Sequence, residues 1–93
     1  MPIYVQLMKW TEQGRKNAET LPERVDAVSK RVEDMGVKVL GHYVTMGQYD
    51  QIVISEAPDD ETVAKITLMV AGRGNVATET VRAFTIDEVR SLL

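Results

Sequence analysis

His42, Tyr43, Tyr49 and Asp50 fall close together in a chain with one histidine and three tyrosines. Side chains of this kind can move protons. A histidine near neutral pH serves as a general base, a tyrosine hydroxyl can donate to a developing oxyanion, and a carboxylate can orient either one. His42, Tyr43 and Asp50 are therefore the candidate catalytic residues. Trp10, Tyr43, Tyr49 and Asp50 are the candidate ligand-binding residues, with Trp10 able to lid a pocket or to seal the end of a core. The plainer reading is a turn at Gly47-Gln48, with Asp50 bonding nearby backbone and the tyrosines packing with their hydroxyls at the edge.

Other chemistries find less support. The absence of cysteine removes disulfides, thiolate catalysis and sulfur-ligated metals. The lone histidine and the carboxylates Glu56, Asp59, Asp60 and Glu61 do not make a metal site, because a helix start explains the acids. No cofactor motif is present. Gly72-Arg73-Gly74-Asn75 could hold an anion with one arginine and its amides, but it reads first as a helix stop followed by a turn.

These residues must be positioned by short elements. Ile3 to Trp10 alternates as a strand, with Ile3, Val5 and Leu7 on one face and Tyr4, Gln6, Met8 and Trp10 on the other. Thr11 to Glu19 is a loop or short irregular helix. Thr20 and Glu23 have capping-box spacing, and Leu21, Val25, Val28, Val32 and Met35 then form an apolar helical stripe that ends at Gly36. Val37–Met46 and Tyr49–Glu56 read as strands joined by a two-residue hairpin at Gly47-Gln48. That turn sets Met46 opposite Tyr49. It puts Leu40, His42, Val44, Tyr49 and Val53 on one face and Val39, Tyr43 and Asp50 on the other. A second helix starts near Asp59 and buries Val63, Ile66, Met69 and Val70. Asn75–Phe84 is a fourth strand, and Thr85 with Glu88 opens a short terminal helix.

The order strand–helix–strand–strand–helix–strand makes one ferredoxin-like α+β sandwich over residues 1–93, with a four-stranded antiparallel sheet and both helices on one face. A chain of 93 residues buries a modest core. The uncovered sheet face, expected to carry Leu40, Val44, Met46 and Val53, is too apolar to stay wet. A second sheet packed on it would give a dimeric α+β barrel, so a homodimer or higher homo-oligomer is expected.

Several segments resemble the GYD-domain family: Trp10-Thr11-Glu12-Gln13-Gly14, Leu21-Pro22-Glu23-Arg24, Tyr43 to Asp50 with Gly47-Gln48-Tyr49-Asp50 at its end, Glu56 to Asp60, and Gly74 to Thr85. The resemblance spans nearly the whole chain. It implies the ferredoxin-like fold, the dimeric α+β barrel group and self-association, and it brings no common activity. In that group, polar residues projecting into a cavity between sheet and helices handle aromatic or hydrophobic small molecules.

Partner classes follow from charge. A net charge of −3 offers no global basic field for nucleic acid or anionic lipid. An RNA-recognition sheet needs stacking aromatics and basic residues on its third strand, whereas Tyr49-Asp50-Gln51-Ile52-Val53-Ile54 has one aromatic, an acid and no base. No membrane-length apolar run and no signal-peptide pattern appear, so the cytoplasm is the expected compartment. The expected function is a homo-oligomeric small-molecule-binding or accessory module with a cleft near Trp10, Tyr43 and Asp50. The alternatives are a cofactor-independent enzyme of monooxygenase or isomerase type, using His42 or a tyrosine, and a purely structural assembly unit.

Overall fold

The computed structural model describes residues 1–93. The chain runs β1 (Ile3–Trp10), α1 (Glu12–Lys16), a 3₁₀ turn (Ala18–Thr20), α2 (Leu21–Asp34), β2 (Lys38–Val44), β3 (Gln51–Glu56), α3 (Asp60–Ala71), β4 (Val76–Ala83) and α4 (Ile86–Leu92). The four strands form one sheet in the order β2-β3-β1-β4, antiparallel throughout. The strand–helix–strand order read from periodicity is thus the order found.

The sheet is open, which overturns the expected dimeric α+β barrel architecture. β2 and β4 lie at opposite edges with both central strands between them. Four strands cannot curl far enough to bring those edges together; a closed barrel filled by side chains takes about eight.

The strand register sorts residues cleanly onto two faces. On the helix-covered face the rows read Val39–Ser55–Tyr4–Arg82, His42–Val53–Gln6–Thr80 and Val44–Gln51–Met8–Thr78. On the open face they read Gly41–Ile54–Val5–Val81 and Tyr43–Ile52–Leu7–Glu79. The hairpin keeps the expected alignment, with Val44 opposite Gln51, but the ladder stops there instead of reaching Met46 and Tyr49. A bulge at Leu40 shifts the phase between Val39 and Gly41. An extra residue in one strand reverses the facing of everything before it. Val39 therefore joins His42 on the covered side, contrary to simple alternation. Val53 also lies on the covered side and is buried, so it leaves the apolar face that was assigned to it.

Local chemistry explains the helices. Thr11 caps α1, its hydroxyl accepting from Gly14 N. The capping box expected at Thr20 and Glu23 does not form. The 3₁₀ turn runs straight into α2, and the Thr20 hydroxyl donates back to Asn17 O instead. Gly36, at φ 87°, ends α2. Asp59 caps α3 by accepting from both Thr62 N and Thr62 Oγ1, at 2.8 and 2.7 Å. The capping box at Thr85 and Glu88 is complete, with both bonds at 3.0 Å.

Packing divides the core. α2 lies against β2 and α3 against β4, so the helices cover the edges of the sheet. Tyr4, Val32, Val37, Ala57, Val63 and Ile66 form one buried cluster, and Met8, Val53 and Val76 form a second. Each fully buried apolar side chain of this size contributes about 1.5–3 kcal/mol. Only 13 of 93 residues are buried, few enough that the protein leaves much apolar surface in water. α4 adds nothing to either cluster: it buries no residue, and Ile86, Leu92 and Leu93 are exposed. No helix is long and apolar enough to cross a membrane.

Candidate functional site

Because the helices sit over the edge strands, the central strands β3 and β1 floor a cleft between them. The residues those strands present there are polar. Gln6, Gln51 and Ser55 are at least nine-tenths buried. Polar side chains on the covered face of a small sheet carry a desolvation cost unless they find partners. Gln6 Nε2 donates to Thr67 Oγ1 on α3 at 3.0 Å and to Thr80 Oγ1 on β4 at 3.4 Å. Gln51 Oε1 lies 2.8 Å from His42 Nε2. In each amide the other end has no partner within the protein, and neither does Ser55 Oγ.

Those free polar ends line a cavity of about 120 Å³. Its walls are the valine face of α2 (Val25, Val28 and Val32) with Val63, Ile66 and Val70 of α3. The apolar stripes read as core are therefore partly the wall of a cavity. His42, Arg24, Arg73 and Asn75 also line it. The space corresponds to about four waters at their liquid volume, well below the roughly 300 Å³ at which drug-sized sites begin. It suits a small molecule with an apolar body and a few hydrogen-bonding groups.

The Arg73 end is held by α1. Thr11 N donates to Asn75 O at 3.0 Å and Thr11 Oγ1 to Gly74 O at 2.6 Å. Gln13 Nε2 donates to Arg73 O at 2.9 Å and to Asn75 Oδ1 at 3.1 Å. Gly14 permits this docking, since a Cβ there would stand 2.0 Å from Asn75 O.

The residues singled out by type are distributed more widely. Of His42, Tyr43, Tyr49, Asp50 and Trp10, His42 alone lines the cavity. Tyr43 lies on the open face, its ring over Gly41. Tyr49, in the turn, reaches over the open face too, where its hydroxyl donates to Glu79 Oε2 at 2.7 Å and Lys9 Nζ sits 5.5 Å from its ring centroid. The bond to Glu79, aided by partial burial, raises the Tyr49 hydroxyl pKa above its ordinary value. Asp50 bonds backbone: its Oδ2 accepts from Trp10 N at 2.8 Å, and Thr45 N donates to its carbonyl at 2.8 Å. Trp10 packs beside Met8, Val53 and Val76, with Nε1 buried and without an acceptor.

A second polar group lies at the far end of the covered face. The buried Tyr4 donates its hydroxyl to Asp60, and the Arg82 guanidinium stands 5.6 Å from its ring centroid. The Asp60 bond, then desolvation, raises the Tyr4 pKa.

Reasoning from residue type passed over Gln6, Gln51, Ser55 and Arg24. Their signal was present in the alternation: two glutamines and a serine occupy the same phase as Tyr4, Met8 and Val53. Amides at positions that a helix must cover point to a cavity.

Fold and cleft together define a small open-sheet α+β sandwich with a ligand-sized space between its two covering helices. The chain belongs to the GYD domain family, which matches residues 4–93. It is 36% identical over 90 residues to the glutamine synthetase and cystathionine beta-lyase binding protein of Thermus thermophilus, a match covering 96% of this chain and 95% of that one. Among solved structures it is similar in fold to TTHA0845 from the same organism, with a TM-score of 0.58, 21% identity, and 91% and 95% of the two chains covered.

Proposed function

We propose that this protein is an accessory binding module that self-associates and takes a small molecule into the cleft between α2 and α3. The observation carrying this reading is the set of buried amides, Gln6 and Gln51, whose free ends face a valine-lined cavity. The relative named for binding glutamine synthetase and cystathionine beta-lyase supports an accessory role, in which the protein acts on an enzyme. The exposed Phe84, Ile86, Leu92 and Leu93 and the apolar rows of the open sheet face support self-association. The cytoplasm is the compartment we assign, in keeping with a chain free of cysteine.

The geometry favours binding over turnover. A histidine acting as general base is best oriented by a carboxylate. His42 instead pairs with the neutral amide of Gln51, and Asp50 is engaged with Trp10 N. A cofactor-independent enzyme is a second reading, because His42 does line the cleft. In that case His42→Ala would abolish turnover while the fold and ligand affinity persist.

Native mass spectrometry of the protein as purified tests the main reading. The expected result is a homo-oligomer that retains small molecules, and loses them in a Val28→Phe variant whose added ring fills the cleft. A monomer without added mass, with a variant that behaves identically in ligand screening, would overturn it.

A further inference from the structure

Resting on the cleft reading above, we infer that the ligand is a small carboxylate with a short, branched apolar chain, its anionic end held by Arg24 and Arg73. Both arginines line the cavity. Topology brings them to one end of the sheet. Arg24 is in the first turns of α2, which follows β1 and α1, and Arg73 immediately precedes β4, whose Val76 pairs with Trp10 at the end of β1. The ion pairs of the protein are Lys16–Glu12 and Arg90–Asp87, so neither cavity arginine has a carboxylate within 4.0 Å. Neither guanidinium takes part in a side-chain hydrogen bond or stands over an aromatic ring, in contrast to Arg82, which lies 4.4 Å from the centroid of Phe84.

Two arginines without a carboxylate partner, Arg24 half-buried and Arg73 exposed, line an otherwise uncharged cavity and so complement an anion. A guanidinium fork matches a carboxylate in plane and spacing, and its charge-assisted bonds are roughly twice as strong as neutral ones. The remainder of the lining sets what the anion carries. Val25, Val28, Val63 and Val70 suit a branched aliphatic chain, and Gln6, Gln51 and Ser55 offer bonds to one further polar group. The volume of about 120 Å³ is about the size of a small branched carboxylate.

Titration calorimetry with isovalerate and with its neutral amide, isovaleramide, tests the inference on the full chain. Isovalerate should bind about tenfold more tightly or better, a difference of roughly 1.4 kcal/mol. Arg24→Gln and Arg73→Gln should each weaken isovalerate and leave the amide unchanged, and the double variant should bring the two probes level. Melting curves confirm that the variants stay folded. Equal affinity for both probes, each abolished by Val28→Phe, would overturn the carboxylate inference and leave the cleft reading standing. Failure of both probes to bind, with Val28→Phe indistinguishable from the parent in every screen, would overturn both.

Discussion

The two faces of this sheet divide polarity unusually: the covered face mixes buried Tyr4, Met8 and Val53 with a polar centre, and the open face is largely aliphatic. The covered face carries Gln6, Gln51, Ser55 and His42, while the open face carries Val5, Leu7, Ile52 and Ile54. A covered face is ordinarily the apolar one. Here the helices stand over the edge strands, and part of the centre of the covered face lines a cavity. The open face needs a different account: its apolar rows are half-buried among themselves, and self-association would shield them further.

The largest effect that sharpens this contrast comes from matched truncations. Ile66→Ala removes a side chain buried between α3 and the sheet, and should cost about 2–4 kcal/mol in the denaturant midpoint. Ile54→Ala, on the open face, should cost about 1 kcal/mol for the folded chain at low concentration. If self-association covers that face, the Ile54 variant should also lose the concentration dependence of its melting temperature. Equal costs for the two truncations, independent of concentration, would show that the faces are not used differently.

A smaller effect is expected at the cleft floor. Gln6→Met exchanges a buried amide for an apolar chain of similar length. It leaves the Thr67 and Thr80 hydroxyl oxygens without this donor, and both sit where water can donate instead. Stability should stay within about 1 kcal/mol of the parent, while 2-hydroxyisovalerate, which adds the further polar group that Gln6 can meet, binds less tightly. A loss of several kcal/mol in a denaturant titration would mean that the amide is a structural keystone and not a ligand contact.

Periodicity carried most of the fold. Leu21, Val25, Val28 and Val32 at steps of three and four mark α2, and the alternation of β1 is clear from Ile3 onward. What escaped was anything that depends on how elements sit against one another. The Leu40 bulge reverses a facing, and no residue type announces it. The gap between α2 and α3 exists because each helix packs on an edge strand, a tertiary outcome that no local pattern contains. The split among the reactive residues was partly legible, since alternation alone parts His42 from Tyr43. His42, Tyr43, Tyr49 and Asp50 are neighbours in sequence, but the strand alternation and the turn send them to different faces. Arg73 was noticed as a possible anion holder within a turn; its companion Arg24 lies 49 positions earlier. Only the fold brings the two together.

The terminal helix extends the comparison beyond the sheet. α4 exposes Ile86 and Leu92, with Leu93 just beyond it, and joins neither core cluster. Leu92→Glu should therefore change monomer stability by less than about 0.5 kcal/mol, yet shift the oligomer distribution in sedimentation velocity toward smaller species. An unchanged distribution would remove α4 from the associating surface and leave the open sheet face to carry that role.

The smallest effect concerns the caps of the packed helix α3 and the unpacked helix α4. Bonds from the Thr62 hydroxyl and N–H hold the Asp59 pKa below its ordinary value, and the Thr85 N–H does the same for Glu88. A depressed carboxylate pKa contributes stability that is present above the ordinary value and is lost as the pH falls through the folded one. Both contributions should thus fade in acid, starting near the ordinary values of 3.8 for Asp59 and 4.5 for Glu88. Asparagine is as good a cap without the charge, so Asp59→Asn should match the parent at neutral pH and show a flatter acid limb. The two helices should respond differently to the same titration. Losing the Asp59 charge loosens a helix tied to β4 and the core, so it registers in the global melt. Losing the Glu88 charge loosens a helix outside both core clusters, so amide exchange should quicken in residues 86–92 while the sheet amides stay protected. Quickening of both regions in parallel would mean that α4 is coupled to the sheet after all.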